Sequence, residues 1–196
     1  MKRVLLTFIL CALVPVLRAE PRRQINVALV QNVESYSTSR LSESIGNVTK
    51  AFGPRVDYME EYKPDVWVGA SYTRLQGTGK DTLANAEFAE LAVDYFWGDR
   101  IKMAEKGPFW NKLYLRAGGR AGFHRWWIHG KNNSQMTELR DAPFYYSFGW
   151  TFAPHVALGL GRAGSLEYTN RYHFSGAADM APIQSNYLSY VYTMEF

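Results

Sequence analysis

Long segments of this chain alternate, with a period of two, between large apolar residues and small or polar ones. In the last segment Leu188, Tyr190 and Tyr192 lie on one face, while Ser189 and Thr193 lie on the other. Side chains of a β-strand point alternately to its two faces, so this pattern predicts strands rather than helices. The same alternation recurs in residues 90–97, 113–124, 144–152 and 166–174.

The two faces of these predicted strands differ in a way that favours a membrane protein. Each apolar face is about ten residues long, the length of a tilted strand that crosses a membrane. The opposite faces carry small residues and charges of both signs, which suit the filled interior of a narrow barrel. The mean hydropathy of −0.27 argues against a bundle of transmembrane helices. An exported soluble sandwich with its apolar faces turned inward is the alternative.

The facing pattern predicts two sets of side chains. The residues predicted to face lipid are Phe144, Tyr146, Phe148, Trp150, Phe152, Leu188, Tyr190, Tyr192, Met194 and Phe196. The residues predicted to form interior ion pairs are Glu90, Asp94, Arg116, Arg120, Glu167 and Arg171. Charges in a narrow interior must be paired, because an unpaired buried charge costs several kcal/mol. We therefore expect a structural role for these six residues, with an ion gate as the second interpretation.

Eight strands are predicted, at residues 25–31, 55–62, 66–75, 87–97, 112–127, 143–153, 156–174 and 187–196. Tight turns are predicted at 62–65 and at Ala153-Pro154-His155, and longer polar connections at 32–54, 76–86, 128–142 and 175–186. Short turns on one side and long loops on the other are typical of an outer-membrane barrel with both termini in the periplasm. The segment 98–111 is long where a short turn is expected. The predicted fold is all-β, an eight-stranded antiparallel transmembrane up-and-down β-barrel.

The N-terminus has the features of a secretory signal peptide. A basic start is followed by the apolar run 4–16 and by Ala19, which suits a cleavage site. We therefore expect export, with residues 1–19 removed and a single barrel domain at residues 20–196. An uncleaved membrane anchor is the alternative. Residues 20–54 are either an N-terminal extension or a long first loop, since their pattern does not decide between the two.

Removal of this leader changes the charge and the cysteine content. The full chain has a net charge of +4 and one cysteine. Lys2, Arg3, Arg18 and Cys11 all belong to the leader, so the mature chain is expected to carry a charge of +1 and no thiol. The basic character therefore does not support binding to nucleic acid. The mature chain is also expected to form no disulfide and no thiolate metal site.

Four pieces of the C-terminal half carry a family resemblance. They are Leu113-Tyr114-Leu115-Arg116-Ala117-Gly118-Gly119, Phe148-Gly149-Trp150-Thr151-Phe152-Ala153-Pro154, Leu166-Glu167-Tyr168 and the closing aromatic strand that ends in Phe196. These pieces resemble the OmpA-type transmembrane domain. The resemblance implies an eight-stranded barrel in the outer membrane of a Gram-negative cell, with roles in envelope integrity or in surface contact through the loops. It implies at most a narrow ion path and carries over no catalytic residue.

The resemblance also implies partners. The terminal Phe196 is similar to the signal by which the β-barrel assembly machinery recognises its substrates. Outer-membrane lipid and lipopolysaccharide are the other expected partners. Arg125, Lys131 and Arg140 flank the third long loop, beside two tryptophans. Cations at an aromatic belt suit the phosphates of lipopolysaccharide, and the alternative is ordinary loop charge that keeps the surface soluble.

Two glycine motifs look like nucleotide-binding loops but lack the required context. Gly159-Leu160-Gly161-Arg162-Ala163-Gly164 has the G-x-G-x-x-G spacing, and Gly77-Thr78-Gly79-Lys80 looks like half of a phosphate loop. A dinucleotide motif needs a helix whose N-terminus meets the pyrophosphate, whereas the residues after Gly164 alternate like a strand. We therefore expect no nucleotide and no other cofactor. The four histidines, His124, His129, His155 and His173, lack the spacing of metal ligands, so no metal site is expected.

His173-Phe174-Ser175 is the sharpest candidate for catalysis. It resembles the His-x-Ser motif of the lipid A 3-O-deacylases, which are also eight-stranded barrels, and implies attack of Ser175 on an acyl ester with His173 as base. That family has a Glu at the start of the last strand, where this chain reads Gln184-Ser185-Asn186-Tyr187. By strand parity His173 and Ser175 point into the lumen, unless a bulge at Gly176 turns them. A lipid A deacylase is therefore the alternative function.

Overall fold

The computed structural model describes residues 21–36, 51–78, 82–97, 113–130, 145–175 and 184–196. Its strands are β1 (Arg23–Tyr36), β2 (Ala51–Lys63), β3 (Val66–Thr78), β4 (Thr82–Trp97), β5 (Leu113–Gly130), β6 (Tyr145–Leu160), β7 (Ser165–Ser175) and β8 (Gln184–Glu195). Each strand pairs with its neighbours in the chain, and β8 pairs with β1, so the sheet closes into a barrel. The predicted eight-stranded antiparallel barrel is confirmed. No helix in the described part of the chain is long and apolar enough to cross a membrane.

The strands are staggered around the barrel. A path that starts at Ile25 and steps to the paired residue on each next strand passes Leu91 and Phe152. It returns to β1 at Tyr36 rather than at Ile25. A barrel closed with such a stagger has steeply tilted strands, and with eight strands its interior is just wide enough for side chains to fill. Inward-facing side chains on opposite strands can therefore meet.

A proline inside β6 accounts for one error in the predicted strands. The tight turn predicted at Ala153-Pro154-His155 is wrong, because β6 continues through Pro154 to Leu160. Pro154 still pairs with Gly119 of β5, while the ladder to β7 breaks after Phe152 and resumes at His155. This gap accommodates the N–H that proline lacks.

Pro54 has the same effect in β2. The strand begins at Ala51, upstream of the start predicted at residue 55. Its ladder to β3 breaks between Phe52 and Arg55, around the proline. The segment 20–54, whose structure was left open, thus holds β1 and the first residues of β2, with residues 37–50 outside the described part.

The connections differ at the two ends of the barrel. At the end that holds Arg23 and Phe196, Pro64 and Asp65 join β2 to β3, and Gly161–Gly164 join β6 to β7. Trp97 and Leu113, which bound the segment 98–112, also lie at this end. The connections at the opposite end are 37–50, 79–81, 131–144 and 176–183. The long loop predicted at 76–86 is wrong, since only residues 79–81 separate β3 from β4.

The barrel is apolar outside and carries buried charged side chains at the centre of the interior. Large hydrophobic side chains are exposed on all eight strands, and Leu91 is 73% exposed. The side chains of Arg116, Arg120 and Glu167 are buried at the centre. This distribution is the reverse of that in a water-soluble protein and matches that of transmembrane β-barrels.

Candidate functional site

Glu167 lies at the centre of a charged layer inside the barrel. Its carboxylate accepts hydrogen bonds from Arg55 Nη1 at 2.6 Å, Arg116 Nη2 at 2.7 Å and Arg120 Nη2 at 3.1 Å. The Thr169 hydroxyl donates to the same group at 2.9 Å. Glu167 has no solvent exposure, and these charge-assisted hydrogen bonds offset the free-energy cost of removing its carboxylate from water.

Asp57 and Asp94 balance the remaining positive charge of the layer. Asp57 accepts a hydrogen bond from Arg55 Nε at 3.2 Å. Asp94 Oδ2 lies 3.5 Å from Arg116 Nη1. The layer therefore combines three arginines with three carboxylates, and its formal charges cancel.

His155 joins the same layer as a neutral side chain. Its Nδ1 lies 3.1 Å from Arg120 Nη1 and its Nε2 lies 2.8 Å from Asp94 Oδ1. A guanidinium can only donate, so Nδ1 accepts and Nε2 carries the proton that it donates to Asp94. A Cβ on Gly118 would lie 2.9 Å from Nε2 and 2.5 Å from Oδ1, so glycine at this position makes room for the contact.

An aromatic layer fills the interior at the end that holds the termini. Its buried members are Met59, Trp67, Ala92, Phe96 and Tyr114. Tyr114 lies over its cross-strand partner Gly159, where a Cβ would come 1.9 Å from the ring carbon Cζ. The glycine motif at 159–164 is thereby explained without a nucleotide. Gly159 receives the ring, and Gly161 and Gly164 adopt positive φ in the turn that follows.

The opposite half of the interior combines one ion pair with aromatic rings. Arg171 Nη2 donates to Glu90 Oε2 at 2.7 Å, and its guanidinium carbon lies 3.8 Å from the centroid of the Phe88 ring. The rings around Phe88 belong to Trp126, His173 and Tyr187. This layer separates the charged centre from the connections at that end.

Two buried histidines in this half have ring nitrogens without a hydrogen-bond partner among the described residues. Both nitrogens of His173 are in this state, and so is Nε2 of His124. Nδ1 of His124 lies 3.1 Å from the carbonyl oxygen of Trp150, which can only accept, so Nδ1 carries the proton. Nε2 of His124 therefore presents a lone pair to the interior, where ordered water can bind.

The six residues predicted as interior ion pairs all lie inside the barrel and are buried: Glu90, Asp94, Arg116, Arg120, Glu167 and Arg171. The structure brings together Arg116 with Asp94 and Glu167, Arg120 with Glu167, and Arg171 with Glu90.

Three residues of the layer around Glu167 were missed in the sequence. Arg55 and Asp57 follow the same two-residue alternation as the residues that were found, so the signal for them was present. His155 was hidden by the turn wrongly predicted at Pro154. All three are buried and belong to the layer around Glu167.

The outer surface carries the residues predicted to face lipid. The exposed ones are Phe148, Trp150, Phe152, Leu188, Tyr190, Tyr192, Met194 and Phe196. Phe144 and the side chain of Tyr146 lie outside the described part of the chain. The ring of Phe123 lies 4.0 Å from that of Trp150 and 5.6 Å from that of Phe148, centroid to centroid, which places an aromatic cluster on β5 and β6.

The structure places His173, the base of the catalytic alternative, inside the barrel. Its ring contacts the rings of Phe88, His124 and Trp126. Within the described residues no carboxylate is hydrogen-bonded to it. The side chain of Ser175 lies outside the described part. The buried imidazole faces the lumen, away from the surface that a membrane lipid would reach.

Of the three cations predicted to contact lipopolysaccharide, Arg125 lies on the outer face of β5 and is half exposed. Lys131 and Arg140 lie outside the described residues. In the described part of the chain, no group of three or more His, Cys, Asp or Glu side chains is placed to hold a metal ion.

No known protein-family profile and no curated protein sequence matches this chain. Solved structures do match it. The crystal structure of Neisserial surface protein A has a TM-score of 0.55 at 14% identity, over 91% of this chain and 98% of that one. The N-terminal β-barrel domain of Pseudomonas aeruginosa OprF has a TM-score of 0.49 at 9% identity, over 89% of this chain and 100% of that one.

A third match is Ail, the attachment invasion locus protein of Yersinia pestis, which was crystallised with the heparin analogue sucrose octasulfate. Its TM-score is 0.47 at 11% identity, over 90% of this chain and 100% of that one. Identities this low concern the architecture and nothing finer. The chain thus has the fold of small bacterial outer-membrane barrels, a closed antiparallel barrel of eight strands.

Proposed function

We propose that this chain is a non-catalytic bacterial outer-membrane barrel protein that supports envelope integrity or makes surface contacts through its loops. The observation that carries the proposal is the inverted distribution of side chains. Exposed large apolar side chains surround all eight strands, while paired charges fill the centre. Large apolar side chains around a whole barrel are unfavourable in water but favourable in lipid. Charged side chains are unfavourable at a lipid-facing surface, and here they lie inside.

The orientation follows from the connections. The chain is exported by the leader at residues 1–19, and the assembly machinery recognises the C-terminal strand that ends in Phe196. The end with Arg23 and Phe196 then faces the periplasm, because two short turns lie there. The opposite end of the barrel, from which the long segments 37–50, 131–144 and 176–183 start, then faces the cell exterior.

Two other roles are less well supported. An ion path would have to cross the layer around Glu167, where the arginine and carboxylate side chains are almost inaccessible to solvent, which favours a closed barrel. A lipid A deacylase would need His173 at the lipid surface beside an acid, whereas its ring is buried among Phe88, His124 and Trp126.

Cell fractionation tests the proposal. The full chain, expressed in a Gram-negative host, should sediment with the outer membrane, require detergent for extraction and give a heat-shifted band on a gel. Its N-terminus should begin at Glu20. A matched chain that lacks residues 1–19 should stay in the cytoplasm. Recovery of the exported chain in the soluble periplasmic fraction would contradict the proposal and favour a water-soluble periplasmic protein.

A further inference from the structure

A row of three charged residues crosses the outer faces of β3, β4 and β5. Arg74 is the cross-strand partner of Glu87, and Glu87 is the partner of Arg125. From this row toward the end that holds the termini, every outward residue of these strands is apolar. They are Tyr72, Ala70, Val68 and Val66 on β3, Ala89, Leu91, Val93, Tyr95 and Trp97 on β4, and Phe123, Ala121, Gly119, Ala117, Leu115 and Leu113 on β5.

The height of the row matches one border of a membrane. On β4, Glu87 and the last residue of the strand, Trp97, are ten positions apart, or about 34 Å along the strand, which a tilt of about 40° reduces to about 25 Å. That is the height of the apolar band of outer-membrane barrels. In the orientation proposed above, on which this inference rests, Glu87 therefore lies at the headgroups of the outer leaflet. Because the row runs perpendicular to tilted strands, Arg125 lies about 3 Å above Glu87 and Arg74 lies about 3 Å below it.

Two side chains of the row contact each other, and the formal charges of all three sum to +1. Arg125 donates to Glu87, and its guanidinium carbon lies 4.9 Å from the centroid of the Trp127 ring. The Arg125 side chain is nevertheless 49% exposed, whereas that of Glu87 is 18% exposed. Arg74 is exposed on the other side of Glu87. Two guanidiniums therefore flank one carboxylate, and the strands that carry them are about 10 Å apart, within reach of a common anion.

We propose that this row binds a phosphate group of lipid A, with Arg74 and Arg125 as the two ligands and Glu87 as the residue that positions Arg125. Guanidinium groups match phosphate oxygens in charge and geometry. The apolar face directly below the row, with Tyr72 and Phe123 at its top, meets the acyl chains of the same molecule. A phosphate carried on a lipid can bind the arginines while its acyl chains contact the apolar face below them. A free phosphate can bind only the arginines.

The other end of the barrel supplies a matched control. Arg23 and Glu60 form a similar exposed cross-strand ion pair, with Nε and Oε1 at 3.2 Å and side chains 49% and 40% exposed. In the proposed orientation this pair faces the periplasmic leaflet. If the row at β3 to β5 is specific for lipid A, loss of Arg23 should not affect lipid A binding.

The test is native mass spectrometry of the protein purified in detergent, titrated with bis-phosphorylated lipid A. The variant Arg74→Gln/Arg125→Gln should bind lipid A at least tenfold more weakly than the wild type. The matched variant Arg23→Gln should stay within twofold of the wild type. A heat-shifted gel band for each variant shows that the barrel is folded, and outer-membrane fractionation tests the proposed function separately.

A second titration needs no variant. Dephosphorylated lipid A should bind the wild type at least tenfold more weakly than the bis-phosphorylated form. Equal binding of the two forms would overturn the proposal, and so would unchanged binding by the double variant. Displacement of lipid A by an equal concentration of phosphatidylglycerol would also overturn it, because the row would then recognise any anionic lipid.

Discussion

Arg55 Nη1 on β2 lies 2.6 Å from Glu167 Oε1 on β7, so this ion pair spans the interior between strands that are not neighbours in the sheet. Glu167→Gln removes the charge that Arg55, Arg116 and Arg120 share. Because three buried guanidiniums would lose their common carboxylate, we expect a loss of about 3–5 kcal/mol of unfolding free energy. Urea titration of the refolded barrel in lipid vesicles, followed by tryptophan fluorescence, measures it.

Glu60→Gln is the control for this prediction. Glu60 pairs with Arg23 at the exposed rim, where an ion pair is worth at most about 1 kcal/mol. We therefore expect a small change for Glu60→Gln. Equal effects of the two variants would contradict a stabilising role for the interior layer.

Gly159→Ala tests the aromatic layer near the termini. Its methyl group would come within 1.9 Å of the Tyr114 ring, which is buried against Phe96 and has little room to move. We expect a loss of about 1–3 kcal/mol from this overpacking. Gly119→Ala is the matched control, because its methyl group would meet Phe152 at an ordinary distance of 3.6 Å.

A double-mutant cycle separates crowding from other causes. If the strain arises at the ring, Tyr114→Ala should cost less in the Gly159→Ala background than in the wild type. Additive effects would show that the two residues do not interact. The same vesicle titration gives all four free energies.

The alternation of side chains made the faces of the strands predictable, because a period of two leaves little choice about which residues share a face. Glu90, Arg116 and Glu167 could be assigned to the interior on this basis. Their partners could not be assigned, since Arg55 and Glu167 lie 112 residues apart and meet only once the register around the barrel is fixed. A one-residue slip would turn either side chain to the other face.

Prolines caused the main errors in the strand boundaries. Two of the predicted boundaries lie at prolines, since one strand was predicted to begin directly after Pro54 and a turn was predicted at Pro154. In this barrel each proline lies at a gap in one ladder and remains in the strand. Nothing in the local sequence distinguishes such a gap from a turn, so the error also hid His155, which follows Pro154.

The apolar outer face predicts that the loss of unfolding free energy caused by an outward arginine depends on its depth in the membrane. Leu91 lies on the outer face of β4, two outward positions below Glu87, and Phe148 lies in the same cross-strand row as Arg125. Leu91→Arg should cost about 2–4 kcal/mol, whereas Phe148→Arg near the border should cost about 0–1 kcal/mol. Urea titration in vesicles compares them.

Unfolding in detergent micelles is the control for the difference between Leu91→Arg and Phe148→Arg. The same two variants in detergent micelles should differ less, because micelles adapt to a charged side chain more readily than a bilayer does. Equal costs for Leu91→Arg and Phe148→Arg in vesicles would contradict the depth assigned to the row of Arg74, Glu87 and Arg125.

The catalytic alternative makes a prediction about lipid A. The mass spectrum of lipid A from cells that express the protein should equal that from cells without it, because His173 is buried in the lumen and no carboxylate among the described residues orients it. The heat-shifted gel band shows that the expressed barrel is folded. Loss of one hydroxyacyl chain would contradict this prediction. If that loss disappeared in a folded His173→Gln variant, His173 would be a catalytic residue that moves to the lipid surface, and the lumen-facing orientation described above would be one of two states.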